Sequence, residues 1–270
     1  TMSSAPRAPS IEAHQASEVE QNMAELRAAA SNVAATMSCK IRAVKVAHDA
    51  EIPAGSKKVH FIRHGEGHHN VAQREWRADP SWDGQTEPYT PDNDQSFRFG
   101  DAELTAKGEG EARALLEVTE PHLQPEVLIV SPMRRATLTG LLAFGPHVDR
   151  GLKVIAHELC HERGGRHTCD QRLSKCRLAA LYPMIDYSLV PEEEDPLWLD
   201  GWTREPWPDL GVRAGRFAEV LMTREERHIV VASHSAFLLA IFNAVFDVED
   251  EATRQWFGTG EMRTVLLSPC

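Results

Sequence analysis

Three short runs rich in Val, Ile, Leu and Phe, residues 58–62, 126–130 and 228–232, stop abruptly at polar residues and give way to helix formers. They end on Arg63-His64-Gly65, Ser131-Pro132 and Ser233-His234-Ser235. Short apolar strands alternating with helical stretches predict an α/β fold, a three-layer sandwich whose mostly parallel central sheet is flanked by helices. A helix over 104–118, strands over 153–156 and 262–267, a helix over 211–226 and another from Ser235 continue the alternation. Residues 228–246 carry no Asp, Glu, Lys or Arg, which is the length of a membrane span. The polar Ser233-His234-Ser235 in its middle, between β-branched residues and Leu238-Leu239-Ala240, reads instead as a buried strand running into a core helix.

Residues 17–48 are rich in Ala, Glu, Met and Leu without Pro or Gly, and predict helices packed outside the main fold. The expected division is an N-terminal helical extension over 1–56 and one catalytic domain over 57–270. The 29 Lys and Arg against 40 Asp and Glu leave a net charge of −11, which excludes a general nucleic-acid binder but not a small cationic pocket. Five cysteines in no framework spacing suggest reduced thiols and a cytoplasmic setting. Residues 1–17 offer no apolar signal core, and Glu12, Glu18, Glu20 and Glu25 argue against a transit peptide. Residues 68–100 and 164–208 read as long loops, and the tryptophans there (76, 82, 198, 202 and 207) either floor a pocket or pack the loops.

Ligands of open α/β sheets bind beyond the carboxyl ends of the strands, where Arg63 and His64 stand. Ser131 as N-cap and Pro132 as first helical residue aim a helix N-terminus, with Arg134 or Arg135, at the same crevice. His234 sits at the mouth of the third junction. Two histidines and at least two arginines at three strand ends suit a phosphate monoester, whose dianion needs fixed positive charge and bidentate donors.

Arg63-His64-Gly65, the Ser-Pro-x-x-Arg-Ala run from Ser131 to Ala136, the late Ser233-His234 and the turn from Asp101 to Gly108 occur in the order of the histidine phosphatase superfamily, which the chain resembles from about residue 58 onward. Within that phosphoglycerate-mutase-like family it is most similar to a plant and fungal group whose substrates are poorly defined. The resemblance implies a metal-independent phosphatase working without cofactor on a small phosphorylated metabolite, with neither nucleic acid nor membrane as partner. His64 is then the nucleophile that forms a phosphohistidine, with Arg63, Arg135 and His234 holding the phosphoryl oxygens. Asn70 and Ser235 are further substrate-binding candidates, Asn70 having an equal claim to cap a turn. Glu162 is implied as general acid, with Glu158 in reserve. Leu138 stands where the family often has Gln, and Ser235 where Gly is usual. Glycolytic mutases of the family carry Glu-Arg-His-Tyr-Gly where this chain has Glu162-Arg163-Gly164-Gly165, which favours phosphatase over mutase. A non-catalytic phosphate-binding scaffold is the remaining alternative within the fold. Arg204-Glu205 either contacts substrate or forms a surface pair, and 192–195 reads as a solvated acidic loop.

One motif points elsewhere. His157-Glu158-Leu159-Cys160-His161 with Gly164 and His167 matches the H-E-x-x-H-x-x-G-x-x-H signature of zinc proteases. Its first two ligands need a long helix, yet the preceding residues read as a turn and a strand. It would also leave the residues at the three strand ends without a role.

Overall fold

The computed structural model describes residues 11–270 apart from 121 and 200. In chain order the elements are α1 (Ile11–Thr36), β1 (Ile41–Lys45), β2 (Lys57–Arg63), α2 (His68–Ala78), α3 (Ala106–Ala114), α4 (Leu116–Thr119), β3 (Val127–Val130), α5 (Arg134–Ala143), α6 (Gly145–Asp149) and β4 (Lys153–His157). Then follow α7 (Lys175–Leu181), β5 (Asp186–Leu189), α8 (Trp207–Thr223), β6 (His228–Ser233), α9 (Ser235–Ala240), a π-helical turn at Ile241–Val245, β7 (Phe246–Asp247), α10 (Glu251–Arg254) and β8 (Met262–Pro269). The eight strands form one sheet in the order β5-β4-β3-β6-β2-β8-β1-β7, in which only β8 runs antiparallel to its neighbours β2 and β1. The mostly parallel sandwich expected from the alternation is therefore the fold.

Alternate residues of the central strands feed two cores. Ile129, Ile229 and Val231 pack on the face covered by α1, α8 and α9, while Leu128, Val130 and Val230 pack on the other. A strand buried on both faces has no polar side to show, which explains why the runs in the sequence are apolar rather than alternating, with the buried His60 as the exception within 59–62. Among the described residues no helix is long and apolar enough to cross a membrane; residues 228–246 form β6, α9 and the π-turn.

Residues 17–48 depart from expectation. Helix α1 ends at Thr36, and Ile41–Lys45 is a strand paired with β8 from Ile41↔Pro269 to Lys45↔Val265. Ile41 and Ala43 face the core while Arg42 and Val44 face outward, the period-two pattern that the helix-forming composition around it concealed. Nor does α1 lie outside the fold. Met23, Leu26 and Val33 are buried in the main core, and Val33 lies against Gly211 and Gly215 of α8, where added Cβ atoms would meet its methyls at 3.0 and 3.3 Å. The helix expected over 104–118 begins where Thr105 Oγ1 accepts the Gly108 N–H at 3.1 Å and divides into α3 and α4.

Candidate active site

The register Arg63↔Ser233 sets the carboxyl ends of β2 and β6 level, so the residues that follow, His64 and His234, leave the sheet side by side. Their ring centroids are 5.2 Å apart. The backbone N–H of His64 donates to Ser233 O at 3.0 Å, and its ring Nδ1 lies 2.7 Å from Gly65 O. A carbonyl can only accept, so Nδ1 carries the proton and Nε2 keeps its lone pair. Gly65 permits this turn because a Cβ there would lie 2.3 Å from Gly108 O. Burial, and then the charges of Arg135 and Arg63, hold the His64 pKa well below 6.5, which leaves a neutral imidazole at physiological pH.

Burial, followed by Arg135 and His64, likewise pushes the His234 pKa well below that of a free imidazole. Its Nε2 is 2.7 Å from Ser131 Oγ; a hydroxyl donating there leaves the ring proton on Nδ1, a buried atom without a partner. Arg135, in the first turn of α5 and 1% exposed, donates from Nη1 to Cys169 O (2.7 Å) and from Nη2 to Asp170 Oδ1 (2.9 Å). Arg63 donates from Nη1 to Phe257 O at 2.7 Å; burial lowers its pKa to about 10, which still leaves it a cation. The Nε atoms of both arginines are buried without partners. Burying a donor unpaired is costly, so these orphaned nitrogens, on arginines whose charges both act on His64, mark a place built for acceptor atoms.

Glu162 also reaches this space. Its carboxylate accepts from Arg163 N (2.9 Å), Phe237 N (3.3 Å), Ala236 N (3.5 Å) and Ser235 Oγ (3.3 Å), which fixes it at the start of α9. Glu158, its reserve, is engaged elsewhere, gripped by Nε and Nη2 of the buried Arg172 at 2.8–3.1 Å. Asn70 lines the cleft and caps α2, its Oδ1 accepting from Gly67 N at 2.9 Å. Ser235 lines the cleft as well.

Several site residues had no signal in the sequence reading. Asp170 joins Arg135 to Arg204, whose Nη1 lies 2.7 Å from Asp170 Oδ2. Burial opposes ionisation of Asp170, but Arg204, His167 and Arg135 outweigh it and hold the carboxyl well below its usual range. Arg204 arrives through a close fit: Gly165, at φ +77°, would place a Cβ 1.8 Å from Thr203 O, so the 203–205 segment lies where a larger residue would stand. Of the two readings of Arg204-Glu205, neither residue forms a surface pair: Arg204 faces the cleft, and Glu205 binds Arg213 at 2.6 Å. The acidic run is not a solvated loop throughout. Asp195 is buried 3.2 Å from His161 Nε2, and the carbonyls of residues 192–194 bind Arg172. The cleft, about 1370 Å³, is walled on one side by α1 through Glu18, Asn22 and Met23. Asn22 Oδ1 accepts from Trp207 Nε1 at 3.0 Å, and Glu18 lies 3.4 Å from Arg77.

The residues of the zinc signature disperse. His157 ends β4 and packs edge-on to Phe217, His161 faces Asp195, and His167 lies 3.6 Å from Asp170. The segment between the first two is a strand end and a single 3₁₀ turn, so no helix presents them on one face. Among the described residues the groups with metal-ligating atoms in mutual reach are His167–Cys169–Asp170 and Glu158–His161–Asp195, and neither unites the three histidines.

Among solved structures, the alpha-ribazole phosphatase from Shigella flexneri aligns with a TM-score of 0.48 at 19% identity, covering 77% of this chain and 89% of that one. Phosphoglycerate mutase-like protein 1 of Arabidopsis thaliana is 29% identical over 245 residues, 78% of this chain and 81% of its own length. A second Arabidopsis thaliana phosphoglycerate mutase-like protein is 30% identical over 216 residues, 70% of this chain and 74% of its own. The profile of the histidine phosphatase superfamily (branch 1) matches residues 84–266, a span that contains Arg135, Glu162 and His234 and begins after His64. That match takes in more than half of the chain, which therefore belongs to the histidine phosphatase superfamily.

Proposed function

We propose that the protein is a metal-independent phosphatase that hydrolyses a small phosphomonoester through a phosphohistidine at His64. The observation that carries this reading is the gathering of buried, partnerless nitrogens of Arg63, Arg135 and His234 around a neutral His64 whose Nε2 retains its lone pair. Substrate binds with its phosphoryl oxygens on those donors, and His64 Nε2 attacks phosphorus in line. The N–P bond forms as the ester P–O bond breaks, and Glu162 gives its proton to the leaving oxygen. Charge spreading over the equatorial oxygens strengthens the bonds from Arg63, Arg135 and His234, so stabilisation grows toward the transition state. Water then attacks phosphorus, Glu162 takes its proton, the P–N bond breaks and neutral His64 returns. His234 acts here as a neutral donor, because burial and Arg135 keep it unprotonated.

Hydrolysis is favoured over mutase chemistry by the Gly164-Gly165 segment, where Leu197 takes the side-chain space of Gly164 and Thr203 that of Gly165. The five cysteines are free thiols, which supports a reducing cytoplasmic setting. The test is release of inorganic phosphate from an aryl phosphate in EDTA, with trapping of acid-labile phosphoenzyme. His64→Ala is expected to lose turnover by on the order of 10³-fold or more and to trap no phosphoenzyme. Full turnover by that variant would remove His64 from the mechanism.

A further inference from the structure

A third imidazole stands at the phosphate site. His69, the second residue of α2, is 7% exposed, and its ring lies 5.6 Å from that of His64 and 6.2 Å, edge-on, from Tyr89. Its seat is prepared by Gly67, where a Cβ would meet the ring at Nδ1 and Cε1, both at 2.7 Å. Nδ1 is thereby closed in, buried and without a hydrogen-bond partner. Buried imidazoles elsewhere in the molecule do find partners, as His60 does on Thr264 and His228, both at 2.7 Å. The ring nonetheless lines the cleft beside Asn70 and Asp170. With Nδ1 turned onto Gly67, Nε2 is the nitrogen left to face the cleft. A proton on Nε2 also makes the enclosed atom an unpaired acceptor rather than an unpaired N–H, the less costly of the two.

Resting on the phosphatase reading above, we propose that His69 is a further catalytic residue, which donates a hydrogen bond from Nε2 to a non-bridging oxygen of the phosphoryl group during its transfer to and from His64. Burial, and then Arg135, keep its pKa well below 6.5, so it serves as a neutral donor and leaves proton delivery to Glu162. A donor to the phosphoryl group acts equally on all esters, whereas a general acid matters most for poor leaving groups.

The experiment compares wild type, His69→Leu and His69→Gln on p-nitrophenyl phosphate and phenyl phosphate, with orthovanadate as inhibitor. His69→Leu is expected to lower kcat/KM about 100-fold on both esters and to weaken vanadate inhibition, since vanadate presents the same oxygens. His69→Gln, which places an amide N–H near the position of Nε2, should recover most of both. Equal activity of His69→Leu and wild type, a loss confined to phenyl phosphate, or unchanged vanadate inhibition would each overturn the assignment. If His69→Leu does not fold, His69→Asn, whose amide is too short to reach, takes its place against His69→Gln. Absence of turnover in wild type would instead defeat the phosphatase reading, and the same variants would then be compared by calorimetric binding of inorganic phosphate.

Discussion

Beneath the cleft, at a floor that Arg63 lines, Arg63, His64 and His234 follow directly from two adjacent parallel strands, and ladder register fixes their positions. On its wall, Glu18 and Asn22 come from α1, Arg204 from a segment lying on Gly165, and Asp170 from a short 3₁₀ turn. Backbone hydrogen bonding determines the floor, whereas side-chain packing between distant segments determines the wall. The floor is accordingly expected to set the chemistry and the wall to set which molecule reaches it.

Glu162 joins the two, since it is seated on α9 at the floor while its chain continues into Gly164-Gly165 under the wall. Glu162→Gln keeps the shape and removes the proton. The expected loss in kcat is about 10²–10⁴-fold for an alkyl phosphate and much smaller for p-nitrophenyl phosphate, whose leaving group needs no proton. Equal losses on both esters would make Glu162 a positioning group and return the acid to an unassigned residue.

How much of this was legible in the sequence follows the same division. Arg63, His64, Arg135 and His234 could be found because each adjoins a strand-to-helix junction with its own local signature, and Glu162 because the resemblance pointed to its segment. Asp170, His69 and the α1 residues Glu18 and Asn22 could not, since their roles depend on what packs against them: His69 on the bare backbone of Gly67, Asp170 on two arginines from separate segments; Arg204 was legible only as one of two readings. The composition of α1 gives a helix but not its seat, which is the groove that Gly211 and Gly215 leave for Val33. The zinc signature misled for the complementary reason: its spacing presumes a helix, and the backbone there is the end of β4.

A change in the backbone of the wall should act on stability. Gly165→Val forces a β-branched residue to φ +77° and drives its Cβ into Thr203 O. A loss of roughly 2–4 kcal/mol in urea unfolding is expected. A variant as stable as wild type would mean that the 203–205 segment does not rest on Gly165.

The floor should also show in the pH dependence. An ordinary imidazole nucleophile with a pKa near 6.5 would lose about tenfold in kcat/KM between pH 7.5 and 5.5 through protonation. His64 is held well below that value by burial, Arg135 and Arg63, and in the proposed mechanism the unprotonated form is the one that attacks. The acid limb of kcat/KM is therefore expected to lie well below pH 6.5, with activity retained at pH 5.5. A limb centred at 6.5, and absent from His64-independent background, would show that the free site is wetter than its geometry indicates.

The smallest effect belongs to α1. Asn22→Ala removes the acceptor of Trp207 Nε1 without touching any residue at a strand end. A single neutral hydrogen bond contributes about 0.5–1.5 kcal/mol, so a change of a few-fold is the scale to expect. For a substrate large enough to reach the wall, that change should appear as a higher KM with kcat preserved, the mark of binding shared equally by ground and transition states. For p-nitrophenyl phosphate, which occupies the floor, both constants should stay within twofold of wild type. If kcat on that small ester falls tenfold while the protein remains folded, α1 is holding the chemistry in place rather than selecting the substrate, and floor and wall form one mechanical unit.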